Sequence, residues 1–332
     1  MMMKSGGIAS IGECMLELSG AGDDLWRMAY AGDTFNTLWA IRALAGDTRS
    51  VDYVSAFGDD PFSAGQIAFM HEAGIGIAAS PRIPGARPGL YAITLDGAER
   101  SFTYWRSDSA ARRLASDPAA LAKSLEGRAL VYFSGITLAI LDDGPRTTLL
   151  EAIATARAAG AKIAFDPNYR PRLWASVDAA RAAITQSLSV ADIALPTFPD
   201  EEVLFGDRTP EATAERLARA GVGEIVVKNG ADPALVVAEG RSASIAAVTV
   251  ETPVDTTGAG DSFNGGYLAA RLTGHAPEEA ARRGHAVAAS VVQVRGALAP
   301  HETLRAAFEG ATASARKSES IFGKHDAADS IV

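Results

Sequence analysis

The second half of the chain alternates short apolar runs with longer segments of helical periodicity. Helical patterns near residues 144–160 and 176–189 separate runs of strand length, which are "ALVYFSGI", "KIAFDPNY", "ADIALPT" and "GEIVVKNG". Apolar runs that are continuous rather than alternating are typical of strands buried on both faces of a sheet. Strands that alternate with helices form parallel sheets covered by those helices. The pattern therefore predicts an α/β fold, doubly wound around a mostly parallel sheet.

Two segments nearer the N-terminus predict a second, smaller sheet. One is "GLYAITLDGAERSFTYWRSDSA", in which two alternating runs flank an Asp-Gly pair typical of a β-hairpin turn. The other, residues 15–30, is polar and aromatic in pattern. We expect it to pair with the hairpin outside the main body. The first strand of the chain is expected to run from Gly6 to Leu18.

Length, charge and cysteine content exclude several classes of protein. The 332 residues are near the upper limit for one core, and the net charge of -9 opposes nucleic-acid binding, which needs a basic face. No apolar run reaches the ~20 residues that cross a bilayer. Cys14 is the single cysteine, so a disulfide framework is excluded and a reducing cytoplasm is favoured. Cys14 itself is more typical of a buried small hydrophobe than of a catalytic thiol.

The segment "VDTTGAGDSF", residues 254–263, combines a glycine turn with an acid. Gly258, Ala259 and Gly260 open a helical pattern, so their backbone N–H groups and the helix dipole favour a bound anion. Asp261 follows in the same first turn. A carboxylate there suits a substrate hydroxyl that loses its proton while it attacks a phosphoryl group. The alternative is an aspartate that only caps its helix.

Two common nucleotide-binding fingerprints are missing from the sequence. There is no G-x-x-x-x-G-K-[ST] loop, and "GGIASIGECM" near the N-terminus does not supply G-x-G-x-x-G. In a dinucleotide-binding domain that second fingerprint directly follows a strand and opens a helix. A dehydrogenase is therefore disfavoured.

The segment "DTTGAGDSF" resembles the C-terminal signature D-T-x-G-A-G-D-x-F of the ribokinase-like, or PfkB, carbohydrate kinase family at every fixed position. "AGDTFNTLWAIRALAG" resembles the family's sugar-contacting turn, and "AFGDDPFSAGQIAFMHEAGI" resembles its G-x-D-x-x-G segment. The resemblance extends over about residues 7–310. It implies a ribokinase-like domain over residues 1–312, with a small β-sheet lid from about 14–33 and 87–111, and a polar C-terminal tail over 313–332.

The resemblance also implies roles for single residues. Asp261 is the expected general base, and the amides of residues 258–260 are expected to stabilise the transferring group. The residues expected on the sugar hydroxyls are Gly32, Asp33 and Asn36. Those expected on the nucleotide are Thr197, Asp200, Lys228, Gly230, Gly258, Gly260 and His285. A solvated Lys228 and an ordinary helix histidine at 285 are the alternatives, and Thr197 and Asp200 stand where many relatives carry asparagine and glutamate.

The cofactors implied are ATP and the Mg2+ that its phosphates carry. Asp255 and Thr257 match positions that hold a monovalent cation in many relatives, which suggests K+. The histidines are scattered without the partner spacing of a metal site, so we expect no metal ion ligated by the protein alone.

Three segments, "GLYAIT", "SFTYWR" and "FDPNYRPRLW", are similar to 2-keto-3-deoxygluconate kinases, in which tyrosines and arginines contact an acid sugar. The matching positions are Tyr91, Tyr104, Arg106 and Arg170. Tyr104 and Arg106 are two residues apart and share one strand face, and Arg170 follows a strand end, where open α/β sheets bind ligands. Two guanidinium groups suit a carboxylate rather than a neutral sugar. The alternatives are surface salt bridges and packing within the lid.

The sequence therefore predicts ATP-dependent phosphorylation of the terminal hydroxyl of an acid sugar, with 2-keto-3-deoxygluconate as the expected substrate. A kinase of a neutral sugar such as fructose or ribose is the alternative within the family. A non-catalytic sugar-binding protein of this fold is expected to lose the glycine turn or its acid, and this chain keeps both. We expect neither a nucleic-acid nor a membrane partner. One face of the lid sheet is expected to pack against a second copy, which gives a homodimer.

Overall fold

The computed structural model describes residues 5–22, 25–46, 48–96 and 99–322. The strands in these ranges are β1 (Gly7–Ile11), β2 (Met15–Gly22), β3 (Leu25–Ala31), β4 (Val51–Val54), β5 (Leu90–Asp96), β6 (Glu99–Trp105), β7 (Arg128–Ser134), β8 (Lys162–Asp166), β9 (Ile193–Ala194), β10 (Glu224–Asn229), β11 (Asp232–Ala238) and β12 (Arg241–Ile245). The helices are α1 (Asp33–Leu44), α2 (Pro61–Glu72), α3 (Pro118–Leu125), α4 (Gly135–Ala139), α5 (Asp143–Ala158), α6 (Val177–Leu188), α7 (Phe198–Phe205), α8 (Pro210–Arg219), α9 (Ala259–Leu272), α10 (Pro277–Val291) and α11 (His301–Phe322), with 3-10 turns at Ala110–Arg113 and Pro171–Leu173.

The main sheet confirms the predicted parallel architecture. Its strand order is β12-β11-β10-β9-β8-β7-β1-β4, parallel from β10 to β4 and antiparallel only where β11 joins β10 and β12. Successive side chains of β7 point into opposite cores: Leu130 and Tyr132 into one, Val131 and Phe133 into the other. Burial on both faces is the reason that these strands read as continuous apolar runs.

The lid is a separate sheet with the order β3-β2-β5-β6. Strand β2 pairs in parallel with β5, which confirms that the segment at 15–30 joins the hairpin. The predicted single strand from Gly6 to Leu18 is wrong, because β1 belongs to the main sheet and β2 to the lid. Strand β1 ends just before Gly12, and a Cβ on Gly12 would lie 2.2 Å from Thr34 Oγ1. Gly97 of the predicted Asp-Gly turn lies outside the described residues.

The C-terminal helix α11 extends to Phe322 and thus beyond the predicted domain boundary at residue 312. The remainder of the predicted tail, residues 323–332, lies outside the described residues, and the division of the chain at 312 stays a prediction. In the described ranges, none of the helices combines the length and apolar character needed to cross a membrane.

Helices α1 and α9 pack closely and meet below the carboxyl ends of the central strands. A Cβ on Gly265 of α9 would lie 2.5 Å from the Cβ of Ala40 in α1, so a glycine is needed for this approach. At the start of the two helices, Thr37 Oγ1 donates to the backbone oxygen of Asp261 at 3.1 Å. The packing therefore brings the first turns of α1 and α9 together.

Candidate active site

The first turn of α9 is built by a glycine in the left-handed region. Gly258 caps the helix with φ of 75°, and a Cβ there would lie 2.9 Å from the Cβ of Ala297. Ala259 N–H donates to Thr256 O at 3.3 Å, whereas the amides of Gly258 and Gly260 have no backbone acceptor among the described residues. Such amides at a helix N-terminus favour an anion.

Asp261 is held from the facing helix by Asn36. Asn36 Nδ2 donates to Asp261 Oδ2 at 2.8 Å, and its Oδ1 accepts from the amide of Gly32 at 3.3 Å. Burial, followed by the negative charge of Asp33, raises the pKa of the Asp261 carboxyl to about 7. No side chain of the described residues, that of Asp261 included, forms a capping hydrogen bond at the N-terminus of α9. A carboxyl of this pKa is suited to accept a proton near neutral pH.

Asp33, the first residue of α1, is fixed by two residues that follow central strands. Its Oδ2 accepts from Ser134 Oγ at 2.5 Å and from Asn168 Nδ2 at 2.9 Å. Burial raises the pKa of Asp33, and the neighbouring charge of Asp166 adds to the rise. Gly32, Asn36 and Asp261 therefore form one hydrogen-bonded group, and Asp33 lies close enough for its charge to raise the pKa of Asp261.

Lys228 is buried beside the glycine turn. Its Nζ donates to Asp166 Oδ2 at 2.7 Å, and Asn264 Nδ2 donates to the same oxygen at 2.7 Å. A Cβ on Gly260 would lie 3.8 Å from this ammonium group, and Lys228 is only 7% exposed. The alternative of a solvated lysine is therefore wrong, and a fixed positive charge faces the anion-binding turn.

A cavity of about 360 Å3 joins the glycine turn to residues predicted for both substrates. Arg170 lines it from the predicted sugar side, and Thr197 and Lys228 from the predicted nucleotide side. Residues 256–261 form its floor, together with Asp166 and Asn168. Phe102 of the lid strand β6 also reaches it, so the lid contributes a wall.

The predicted lid tyrosines lie next to each other but differ in exposure. Tyr91 is buried, and its hydroxyl donates to the carboxylate of Glu17 on the neighbouring strand. Burial, with the charge of Glu17 second, raises the pKa of Tyr91. Tyr104 is 49% exposed, with its ring centroid 5.7 Å from that of Tyr91 and 6.4 Å from that of Phe102.

Each predicted arginine is paired with a carboxylate of the protein. Arg106 follows the last lid strand and forms an almost buried ion pair with Glu13. Arg170 Nη1 lies 3.0 Å from Asp200 Oδ2, with about half of the arginine side chain exposed. The surface salt bridge considered as an alternative therefore describes Arg170 better than Arg106.

The other residues predicted to contact the nucleotide differ in burial. Thr197 precedes α7 and Asp200 is in its first turn. Gly230 is exposed in the β10–β11 turn with φ of 61°. His285 is buried with its ring 4.8 Å from Phe263, and burial lowers its pKa to about 4. His285 is not among the residues that line the active-site cavity.

The predicted monovalent-cation site contains a buried acid. Asp255 Oδ1 accepts from the amide of Thr257 and Oδ2 from that of Gly296, both at 2.9 Å. The carboxylate therefore fastens the glycine turn to the segment after α10. Elsewhere in the described ranges, no group of three or more His, Cys, Asp or Glu side chains is arranged to hold a metal ion.

The sequence interpretation missed several residues of this site. In "FDPNY", Asp166 is the last residue of β8 and Asn168 follows two residues later, at the sheet edge where ligands bind, and this position was a usable signal. Phe102 is two residues before Tyr104 and shares its strand face. Ser134 ends β7 in the same way. Glu13 carries no signal of this kind.

Comparisons with known proteins agree with the geometry. The model of the pfkB family carbohydrate kinases matches residues 6–304. A 2-dehydro-3-deoxygluconokinase of Dickeya dadantii is 42% identical over 311 residues, 92% of this chain and 100% of that protein. The protein of the same name from Escherichia coli K12 is 43% identical over 306 residues, 90% of this chain and 99% of that protein.

Among solved structures, a PfkB protein from Polaromonas sp. JS666 superimposes with a TM-score of 0.78 and 27% identity. The match covers 91% of this chain and 100% of that one. The family model, the relatives and the fold thus agree over nearly the whole chain. The chain belongs to the pfkB family of carbohydrate kinases.

Proposed function

We propose that this protein is an ATP-dependent kinase that phosphorylates the terminal hydroxyl of 2-keto-3-deoxygluconate, which is also called 2-dehydro-3-deoxygluconate. The observation that carries the reaction type is the partly buried carboxyl of Asp261, with a pKa of about 7, in the same helical turn as the amides of Gly258 and Gly260. The substrate is supported by the two relatives of that name at 42% and 43% identity.

In the proposed reaction, Asp261 accepts the proton of the sugar hydroxyl. The hydroxyl oxygen forms a bond to the terminal phosphorus of ATP, and the bond from that phosphorus to the bridging oxygen breaks, which leaves ADP. Asn36 holds the carboxylate, so the base is oriented before the substrate arrives. The amides of residues 258–260 and the ammonium of Lys228 stabilise negative charge on the transferring group.

The cavity has the donors that a polyphosphate requires. Lys228 supplies a fixed positive charge, and the glycine turn supplies amides beside it. When bound, ATP with Mg2+ supplies the phosphoryl group and partly neutralises its charge.

The acid sugar is proposed to bind between the two arginines. Arg170 lines the cavity and Arg106 lies at the base of the lid, so a carboxylate between them gains charge-assisted hydrogen bonds. Tyr91 and Tyr104 stand on adjacent lid strands beside them. The hydroxyls are proposed to meet Gly32, Asp33 and Asn36. Closure of the lid would exclude water, which competes as a phosphoryl acceptor.

We propose that a monovalent cation binds beside the turn of Asp255 and Thr257. The Asp255 carboxylate is buried and accepts hydrogen bonds from the amides of Thr257 and Gly296, so a negative charge is fixed beside this turn. Such a cation would stabilise the turn that presents Gly258. Activity in potassium buffer should exceed activity in tetramethylammonium buffer, and equal rates contradict the site.

We also propose a homodimer that buries the outer face of the lid. This face forms a groove of about 860 Å3 whose walls include Leu16, Leu90 and the exposed side chains of Trp26, Met28 and Trp105. An exposed apolar surface of this kind marks an interaction site. Sedimentation velocity should show a dimer that dissociates in Trp26→Lys, and a monomeric wild type contradicts the proposal.

A cytoplasmic location is proposed from the single, buried cysteine, Cys14, which requires no oxidising compartment. Cell fractionation with immunodetection tests it, and recovery in the periplasm or medium contradicts it.

The proposed function is tested by coupled ATP-consumption assays with 2-keto-3-deoxygluconate, D-fructose and D-ribose. We expect kcat/KM for the acid sugar to exceed that for either neutral sugar at least tenfold. Preference for fructose or ribose would instead assign a neutral-sugar kinase. Absence of ATP consumption with every sugar, despite sugar binding by calorimetry, would assign a non-catalytic binding protein.

A further inference from the structure

An ion pair links the connection between β1 and β2 to the end of the last lid strand. Glu13 lies between β1 of the main sheet and β2 of the lid, and Arg106 lies directly after β6, the last lid strand. Arg106 Nη2 donates to Glu13 Oε2. The side chains are 11% and 1% exposed, respectively. The arginine proposed to bind the substrate carboxylate is therefore fixed by a second, buried carboxylate.

The ion pair leaves part of its hydrogen-bonding capacity unused. Glu13 Oε1 and Arg106 Nε are both buried, and neither has a hydrogen-bond partner among the described residues. Buried polar groups without partners are costly, and a buried ion pair stabilises a fold only when its remaining donors and acceptors are satisfied. A pair that served only to fasten the lid would be expected to use these atoms. The open donor instead suggests that a ligand completes the arrangement.

Glu13 packs against two glycines, where a larger residue would collide with it. A Cβ on Gly89 would lie 2.6 Å from Glu13 Oε1 and 3.2 Å from the Cβ of Arg106. A Cβ on Gly32, at the sugar-side turn before α1, would lie 2.1 Å from the backbone oxygen of Glu13. The acid is therefore held between the lid base and the turn proposed to contact the sugar.

We propose that Glu13 is a positioning residue that orients Arg106 toward the carboxylate of the acid sugar, and thereby contributes to the preference for acid over neutral sugars. The inference rests on the proposed function. A guanidinium is a rigid planar fork, so fixing one nitrogen fixes the directions of the others. Glu13 holds Nη2 of Arg106, and through the rigid plane this contact sets the direction in which the rest of the guanidinium faces.

Two variants separate the reach of Glu13 from its charge. Glu13→Gln keeps the length and an acceptor oxygen but loses the charge. Glu13→Asp keeps the charge but withdraws the carboxylate by one methylene. Positioning predicts that Glu13→Asp raises KM for 2-keto-3-deoxygluconate by about 10-fold or more, the scale of a charge-assisted hydrogen bond, with kcat changed less than about threefold. Glu13→Gln should raise KM by less than Glu13→Asp does, because its amide oxygen still reaches Arg106 Nη2 although the counter-charge is lost.

The ion pair of Asp52 and Arg128, far from the cavity, provides a matched control. Asp52→Asn should lower the unfolding temperature without changing KM. In a double-mutant cycle, Glu13→Asp should add nothing to the KM of Arg106→Ala. Full additivity would overturn the proposal, and so would an unchanged or lowered KM in Glu13→Asp. A larger KM in Glu13→Gln than in Glu13→Asp would show that charge, not reach, matters, and would overturn it as well.

The same assays distinguish this inference from the proposed function. A wild-type enzyme that phosphorylates 2-keto-3-deoxygluconate, with Glu13→Asp unchanged, contradicts the role of Glu13 alone. A wild-type enzyme that is inactive on this sugar overturns both proposals. KM losses in Glu13→Asp that are equal for the acid sugar and for D-fructose indicate a general effect on the lid and contradict the specificity role.

Discussion

Two regions of the cleft are organised in opposite ways. The proposed catalytic floor, formed by Asn36, Asp166, Lys228 and residues 258–261, belongs to the main domain, and its polar side chains are bonded in pairs, Asn36 to Asp261 and Lys228 to Asp166. The lid edge, formed by Tyr91, Tyr104 and Arg106, belongs to the small sheet, and two of its side chains are bonded to Glu17 and Glu13 instead.

These different hydrogen-bond partners indicate in which region substrate binding must rearrange existing contacts. The catalytic floor already has the proposed base, the amides and the ammonium in place, so substrates would meet a preorganised site. At the lid edge, an acid sugar would join an arginine that a protein carboxylate already neutralises. We therefore expect damage to the catalytic floor to reduce kcat, and damage to the lid edge or to Arg170 to raise KM.

The largest effect is expected from Asp261→Asn. The amide cannot accept the proton of the sugar hydroxyl, so kcat should fall by roughly 10²–10⁴-fold, the usual loss of a general base. Sugar affinity by calorimetry should change little, because Asn36 and the glycine turn remain. Steady-state kinetics checks this prediction, and near-normal turnover would remove Asp261 from the role of base.

Arg170→Ala is expected to act on recognition rather than on chemistry. Loss of a charge-assisted hydrogen bond to the substrate carboxylate should raise KM for 2-keto-3-deoxygluconate by roughly 10–150-fold. Activity on D-fructose, which has no carboxylate, should be nearly unchanged. Arg170→Lys is the matched control, since it keeps the charge but not the bidentate geometry, and it should recover only part of the loss. Equal losses on both sugars would refute the carboxylate contact.

The pH dependence of kcat/KM tests the coupling within the catalytic floor. Because burial raises the pKa of Asp261 to about 7 and the base must be ionised, kcat/KM should fall as the pH decreases through about 7. The charge of Asp33 raises this pKa and that of Lys228 lowers it. The acid limb should therefore move to lower pH in Asp33→Asn and to higher pH in Lys228→Met. A limb that moves in neither variant would assign it to another group.

The sequence was sufficient for the catalytic floor but not for the partners of the lid edge. The glycine turn, its acid and the asparagine of α1 are local patterns with a clear chemical meaning, and hydrophobic patterning predicted the parallel sheet. The pairing of Glu13 with Arg106 joins residues 93 positions apart, which neither periodicity nor spacing reports. The break between β1 and β2 was missed because the connection between them, residues 12–14, is only three residues long, so the patterns of the two strands run together.

The smallest effect is expected within the lid edge itself, from Tyr104→Phe. Tyr104 is half-exposed, so its hydroxyl can contribute no more than an ordinary neutral hydrogen bond to the sugar, and KM should rise by roughly 2–10-fold with kcat unchanged. Tyr91→Phe differs, because it removes a donor from the buried Glu17 and should also lower the unfolding temperature. Kinetics and thermal unfolding of both variants separate recognition from packing. A drop in unfolding temperature for Tyr104→Phe without any change in KM would show that both tyrosines serve the lid rather than the sugar.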